Sequence, residues 1–136
     1  MSPADAAGRG DMSLTVLMIV TNQDRSRDFC HDVMGAEIVR DRDPAILRPG
    51  NGVIVLNVGG GPTGDKPTVT MAPRANQDIV SMALNMRVTD IHAVYHAWRA
   101  RGAQFLTPPQ DRDGEIRCYL RDPDGYLIEA GQTTQT

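Results

Sequence analysis

The sequence predicts an α+β fold of two tandem β-α-β-β-β modules, on three observations. A strand–helix–strand phrase occurs twice at nearly constant spacing, the flanking strands alternate apolar and polar residues, and a glycine- and proline-bearing turn precedes the last strand of each module. Strand periodicity of two and helix periodicity of about 3.6 cannot be met by one conformation, so each switch between them marks an element boundary.

In the first module residues 14–20 read as a strand, Thr21 and Asn22 offer an N-cap, and residues 24–34 follow with Phe29, Val33 and Met34 at helical spacing. Gly35 closes that helix, and residues 36–40 make the next strand. Residues 45–48 and 52–58 are further strands, joined by Pro49-Gly50-Asn51. The second module repeats the phrase: residues 81–88 alternate strictly, Thr89 and Asp90 cap a helix through Arg101, Gly102 ends it, and residues 103–106 form a strand. Val20-Thr21-Asn22 returns as Val88-Thr89-Asp90, 68 positions on, and Gly35-Ala36 as Gly102-Ala103, 67 positions on. Residues 115–121 and 126–130 close the module through Asp122-Pro123-Asp124-Gly125, in which Pro123 presets φ, the aspartates can cap backbone donors and Gly125 tolerates positive φ. Between the modules lies a Gly/Pro-rich connector, residues 59–67, then an extended or helical piece to Val80. No Gly-Lys-Ser/Thr follows its three glycines and no helix opens there, so it reads as a linker or rim and not as a phosphate loop. The expected division is a flexible extension (1–12), one domain (13–132) made of module one (13–58), linker (59–80) and module two (81–132), and a tail (133–136).

At 136 residues and a formal net charge of -3, the chain fits one domain and has no basic stripe to displace counterions from nucleic acid. Lys66 is its only lysine. The apolar run at 14–20 is far short of the roughly 20 residues that span a bilayer and follows no signal-peptide pattern, so a cytoplasmic protein with no membrane partner is expected. Cys30 and Cys118 lack Cys-x-x-Cys spacing and read as idle reduced thiols, a single disulfide being the alternative.

The paired modules, the helix entry Asn22-Gln23-Asp24-Arg25-Ser26-Arg27-Asp28-Phe29, Met34-Gly35, and above all Arg121-Asp122-Pro123-Asp124-Gly125-Tyr126-Leu127-Ile128-Glu129 give the chain its family likeness. From Leu14 to Gln132 it resembles the vicinal oxygen chelate superfamily, which includes glyoxalase I, bleomycin-resistance-type binding proteins and extradiol dioxygenases. The resemblance implies modules whose mixed sheets curl around a cleft, commonly completed by a homodimer. It also implies, for metal-dependent members, a ligand seven residues before the acid after each module's first strand, and carboxylates near the module ends. Those two positions hold Thr15 and Ala83 here, residues 53–58 contain no acid, and only Glu129 stands where a ligand is implied. One donor is too few for a transition metal, so no metal or other cofactor is expected.

The histidines do not rescue such a site. His92 and His96 share a helix face at i, i+4, but Ile91, Val94, Tyr95 and Trp98 define the buried side and leave them on the wet one; His31 reads as solvated. The strands indicate what the cleft presents instead. In residues 82–88 the even positions are apolar and suit packing beneath a helix, which leaves Ala83, Asn85 and Arg87 on the face the resemblance assigns to the cleft. By the same parity Thr15, Leu17 and Ile19 line it from the first strand, with Val53, Val55 and Asn57 beside them. The terminal hairpin places Arg117, Tyr119 and Arg121 on one face and Cys118 and Leu120 on the other, and a two- or three-residue turn decides which set joins Glu129. Three roles for Glu129 stay open: a structural carboxylate paired with Arg121 or water, a ligand contact or proton shuttle, and a metal ligand.

The leading expectation is a non-catalytic small-molecule binder of the glyoxalase/bleomycin-resistance type, sequestering an antibiotic or apolar metabolite in a dimeric cleft without metal. The alternative is an enzyme, a lyase, isomerase or dioxygenase with atypical metal ligands or with Glu129 as general base. An assembly module is the third class, and no dedicated docking stripe speaks for it.

Overall fold

The computed structural model describes residues 12–134; residues 1–11 of the expected extension and 135–136 of the expected tail lie outside the described residues. Module one runs β1 (Val16–Ile19), α1 (Gln23–Asp28) continued by a π-helical turn (Phe29–Val33), β2 (Glu37–Arg40), β3 (Ala45–Arg48) and β4 (Ile54–Asn57). Module two runs β5 (Leu84–Arg87), α2 (Ile91–Ala100), β6 (Gln104–Phe105), β7 (Gln110–Arg112), β8 (Glu115–Arg121) and β9 (Leu127–Thr133). Each module forms its own mixed sheet. The orders are β1-β4-β3-β2 and β5-β9-β8-β6, with β1 parallel to β4 and β5 parallel to β9, so the duplication extends to the pairing scheme.

The caps explain why the helices start where they do. The side chains of Asn22 and Asp90, both in extended backbone, accept from the amides of Arg25 and Ala93 at 3.0 and 3.1 Å. The first helix departs from the regular α-helix expected over 24–34, because its last five residues widen to π geometry while keeping Cys30 and Val33 inward, each in a different core cluster. β7 was not foreseen: Gln110-Asp111-Arg112 is short and wholly polar, without apolar alternation, and gains strand geometry only by pairing with β8.

The core has two halves. Met18, Val20, Leu47, Ile54 and Leu56 form one with Cys30 of the first helix, and Ile91, Tyr95 and Trp98 of α2 form the other with Leu120 and Ile128; Phe29, Met34, Leu84 and Met86 pack against both. The two cysteines are buried and free, one in each half, and burial pushes their thiols up to about 12 (Cys30) and about 11 (Cys118), so neither is a nucleophile at neutral pH.

The Asp-Pro-Asp-Gly turn ties the modules together. The Asp124 carboxylate, only 4% exposed, accepts from the amide and hydroxyl of Thr21, from Ser26 Oγ at 3.5 Å and from Arg25 Nη2 at 3.1 Å, all at the entry of α1. Tyr126 adds a 2.6 Å hydrogen bond from its hydroxyl to the Ile19 carbonyl, and Arg101 Nη1 donates to the Val33 carbonyl at 3.1 Å. Asp122 stays local, accepting from the amides of Asp124 and Tyr126 at 3.0 and 2.8 Å.

Burial is the largest influence on Asp122, whose carboxyl is pushed up to about 6, with the Asp124 charge adding to the rise against two backbone amides and Arg25. A folded-state value above the unfolded one means the native state holds the proton more tightly, so this group's contribution is full at acid pH and is lost as pH rises from about 4 to about 6. Asp122→Asn is expected to remove that loss, gaining up to about 3 kcal/mol over the wild type at neutral pH and converging with it near pH 4, read from thermal melts across that range. Asp124→Ala, which strands the Thr21 and Ser26 donors, is expected to cost about 2 kcal/mol in chemical denaturation.

Candidate functional site

The hairpin turn settles which residues join Glu129. Arg121 faces Leu127, and the Asp122 amide bonds to the Tyr126 carbonyl at 3.0 Å, leaving Pro123, Asp124 and Gly125 as a three-residue loop with Gly125 at φ 87°. Odd therefore faces odd, and Arg117, Tyr119 and Arg121 lie on the face of Glu129 while Cys118 and Leu120 enter the core.

Across this uncovered face the strands stack their side chains in rows. Asn85, Glu129 and Tyr119 form one row; Arg87, Gly131 and Arg117 the next; Thr133 and Glu115 the third. Gly131 makes the second row work. A Cβ there would stand 2.3 Å from Arg87 Nη1, so only the bare backbone lets the guanidinium lie across the sheet and reach both neighbouring rows. Arg87 Nη1 donates to Glu115 Oε1 at 3.1 Å, Asn85 Oδ1 at 3.3 Å and Glu129 Oε2 at 3.4 Å, and Nη2 to Thr133 Oγ1 at 3.0 Å. The other oxygen of Glu129 accepts from the Tyr119 hydroxyl at 2.7 Å, and Arg117 Nη1 reaches Glu115 Oε2 at 3.3 Å.

Of the residues expected in the cleft, the structure gathers Asn85, Arg87, Tyr119 and Glu129 into this network. Arg121 shares their parity, but its guanidinium turns to the Gln77 and Gly125 carbonyls and to Asp78 Oδ1, at 2.7, 2.9 and 2.9 Å, tying the linker to the hairpin. The carboxylate of Glu129 is thus paired with Arg87 and not with Arg121. Leu17, Ile19, Val55 and Asn57 line the uncovered face of the other sheet, where Leu17, Val55 and Ile46 make an apolar row, and Thr15 is exposed just before β1. Ala83 is exposed at the entry to β5. Glu115 was missed because its place depends on the turn length, and Gly131 and Thr133 because the last strand was expected to end at residue 130, whereas β9 runs on to Thr133; once β9 is extended, parity with Glu129 finds both, and a three-residue loop adds Glu115.

The donor set does not fit the metal centre the family resemblance implies. Thr15 offers a hydroxyl, Ala83 a methyl, and the Asn57 side-chain oxygen accepts from the Val58 amide at 2.8 Å. Both Glu129 oxygens are engaged, and among the described residues no three His, Cys, Asp or Glu side chains converge as metal ligands. His92 and His96 lie exposed on α2, and His31 Nδ1 lies 2.9 Å from the Ala36 carbonyl. A hollow of about 510 Å³ between α1 and β2, lined by Arg27, Asp28, Ile38, Asp41 and Arg42, lies apart from both uncovered faces.

The hydrogen bond to Glu129, assisted by burial and by that carboxylate's charge, holds the Tyr119 phenol above its ordinary value of 10.0. Glu129→Gln removes the charge, and the Tyr119 titration is expected to move back toward that value in ultraviolet phenolate absorbance, with Tyr119→Phe identifying the signal.

Comparison with known proteins agrees with this architecture. No curated protein matches the chain. Among solved structures, TioX from Micromonospora sp. ML1 superposes with a TM-score of 0.67 at 22% identity, covering 89% of this chain and 99% of that one. A glyoxalase-related enzyme from Fulvimarina pelagi gives 0.71 at 20% identity, covering 90% and 88%. The fosfomycin resistance protein FosX from Mesorhizobium loti gives 0.65 at 16%, covering 91% and 93%. These likenesses show the fold, and the family model for the Glyoxalase/Bleomycin resistance protein/Dioxygenase superfamily matches residues 14–130. With nearly the whole two-module domain inside that match, the chain belongs to the glyoxalase/bleomycin resistance protein/dioxygenase superfamily.

Proposed function

We propose that this chain is a metal-free small-molecule-binding protein that sequesters an antibiotic or apolar metabolite in a cleft completed by a second copy. The observation that carries the reading is the state of Glu129: the one family-type carboxylate is held by a guanidinium and a phenol, where a metal-dependent relative would need it free for a cation. The two uncovered sheet faces have complementary character. One presents Leu17, Ile19, Val55 and Ile46, the other an electroneutral set of Arg87, Arg117, Glu115 and Glu129 with Tyr119 and Asn85. Pockets typically pair apolar area with a few fixed polar groups and bury most of the ligand. Within one chain Leu17 is 49% exposed and the Arg87 side chain 41%, so neither wall is roofed, and a homodimer supplies the facing wall.

A second reading, metal-free catalysis, draws on the 2.7 Å bond from Tyr119 to Glu129, which would let the pair pass a proton to or from a substrate. Native mass spectrometry of protein purified without added metal tests the binding reading. The binder predicts a dimer retaining an organic ligand, lost in Arg87→Ala, and no stoichiometric transition metal by elemental analysis. A metal that disappears in Glu129→Gln would reverse the assignment.

A further inference from the structure

We propose that the ligand carries an oxyanion, in the simplest case a carboxylate on an apolar body, and that the exposed edges of Arg87 and Arg117 receive it. The inference rests on the binding reading above and adds the chemical class of the ligand. The four charged groups of the polar wall sum to zero, so net charge does not choose the partner; depth and hydrogen-bond capacity do. The guanidiniums stand outermost, with the Arg87 and Arg117 side chains 41% and 36% exposed against 23% for Glu115 and 14% for Glu129. A ligand approaching this face meets the cations first.

The bonds already made point the same way. Each carboxylate oxygen has a donor: Arg87 and Arg117 on Glu115, Arg87 and Tyr119 on Glu129. A guanidinium has five N–H donors. Among the described residues Arg117 spends one of them, from Nη1 on Glu115, and Arg87 acts through Nη1 and Nη2, leaving its Nε–H unspent. Surplus capacity on this wall is therefore donor capacity on planar forks, the geometry that grips a carboxylate through two parallel bonds. Arg117 is also steadied from beneath, its guanidinium carbon 5.9 Å from the centre of the Tyr119 ring. A cationic ligand would have to pass these arginines to reach acids that are already paired.

Three probes of one shape isolate the head group: benzoate, benzamide and benzamidine, each titrated into the purified protein by calorimetry. Benzoate is expected to bind at least about 10-fold more tightly than the other two, and to lose that advantage in Arg117→Gln while benzamide is unaffected. Arg117 makes one long bond in the network, so the variant is expected to keep the wild-type melting temperature, and Arg117→Lys, which keeps charge but not the fork, to recover only part of the preference. Equal binding of all three probes overturns the oxyanion and leaves the binder standing. Preference for benzamidine, or benzoate binding unchanged in Arg117→Gln, overturns it too. No binding of any probe overturns the oxyanion too, while the binder stands or falls on the ligand retained in native mass spectrometry.

Discussion

Asp124 is the point on which the molecule closes. Each module buries its own sheet under its own helix, yet Phe29, Met34, Leu84 and Met86 lie between the halves and are covered only if the modules stay together. A buried carboxylate is costly unless its oxygens are fully engaged, and the entry of α1 meets that demand with a backbone amide, two hydroxyls and a guanidinium, in the part of a helix whose dipole favours negative charge. The same loop fixes the hairpin register. One three-residue turn therefore fastens the modules and sets which side chains of β8 stand beside Glu129.

A second constraint acts within the polar wall. Glu129 and Glu115 lie two rows apart on one sheet face, where two carboxylates repel unless a cation stands between them. Arg87 is that cation, and Gly131 is the gap through which it crosses. A guanidinium fixed to the scaffold thus meets that electrostatic demand. It is permanently charged and geometrically rigid, suited to orienting an acceptor and unable to act as a Lewis acid.

The duplication also divides the labour between walls. Equivalent strands, β1 and β5, carry Leu17 and Ile19 in one module and Asn85 and Arg87 in the other, so one sheet offers apolar area and its twin offers directionality. Neither is enclosed by a single chain, which is the physical reason that function is proposed for an assembly of two.

The sequence by itself determined the two-module plan, because strand and helix periodicities, the Asn22 and Asp90 caps and the Gly35 and Gly102 stops act over a few residues and leave a readable local pattern. It also determined that Thr15 and Ala83, which carry no imidazole, thiolate or carboxylate, stand at the two positions where the resemblance implies metal ligands, since residue identity does not depend on conformation. Tertiary structure alone decided the rest: β7 exists only through its pairing, Arg121 was drawn to the linker while Arg87 took Glu129, and Glu115, Gly131 and Thr133 joined the site across strands. Those outcomes hang on strand register, and a one-residue change in turn length would send every side chain of a strand to its other face, a choice that no local periodicity records.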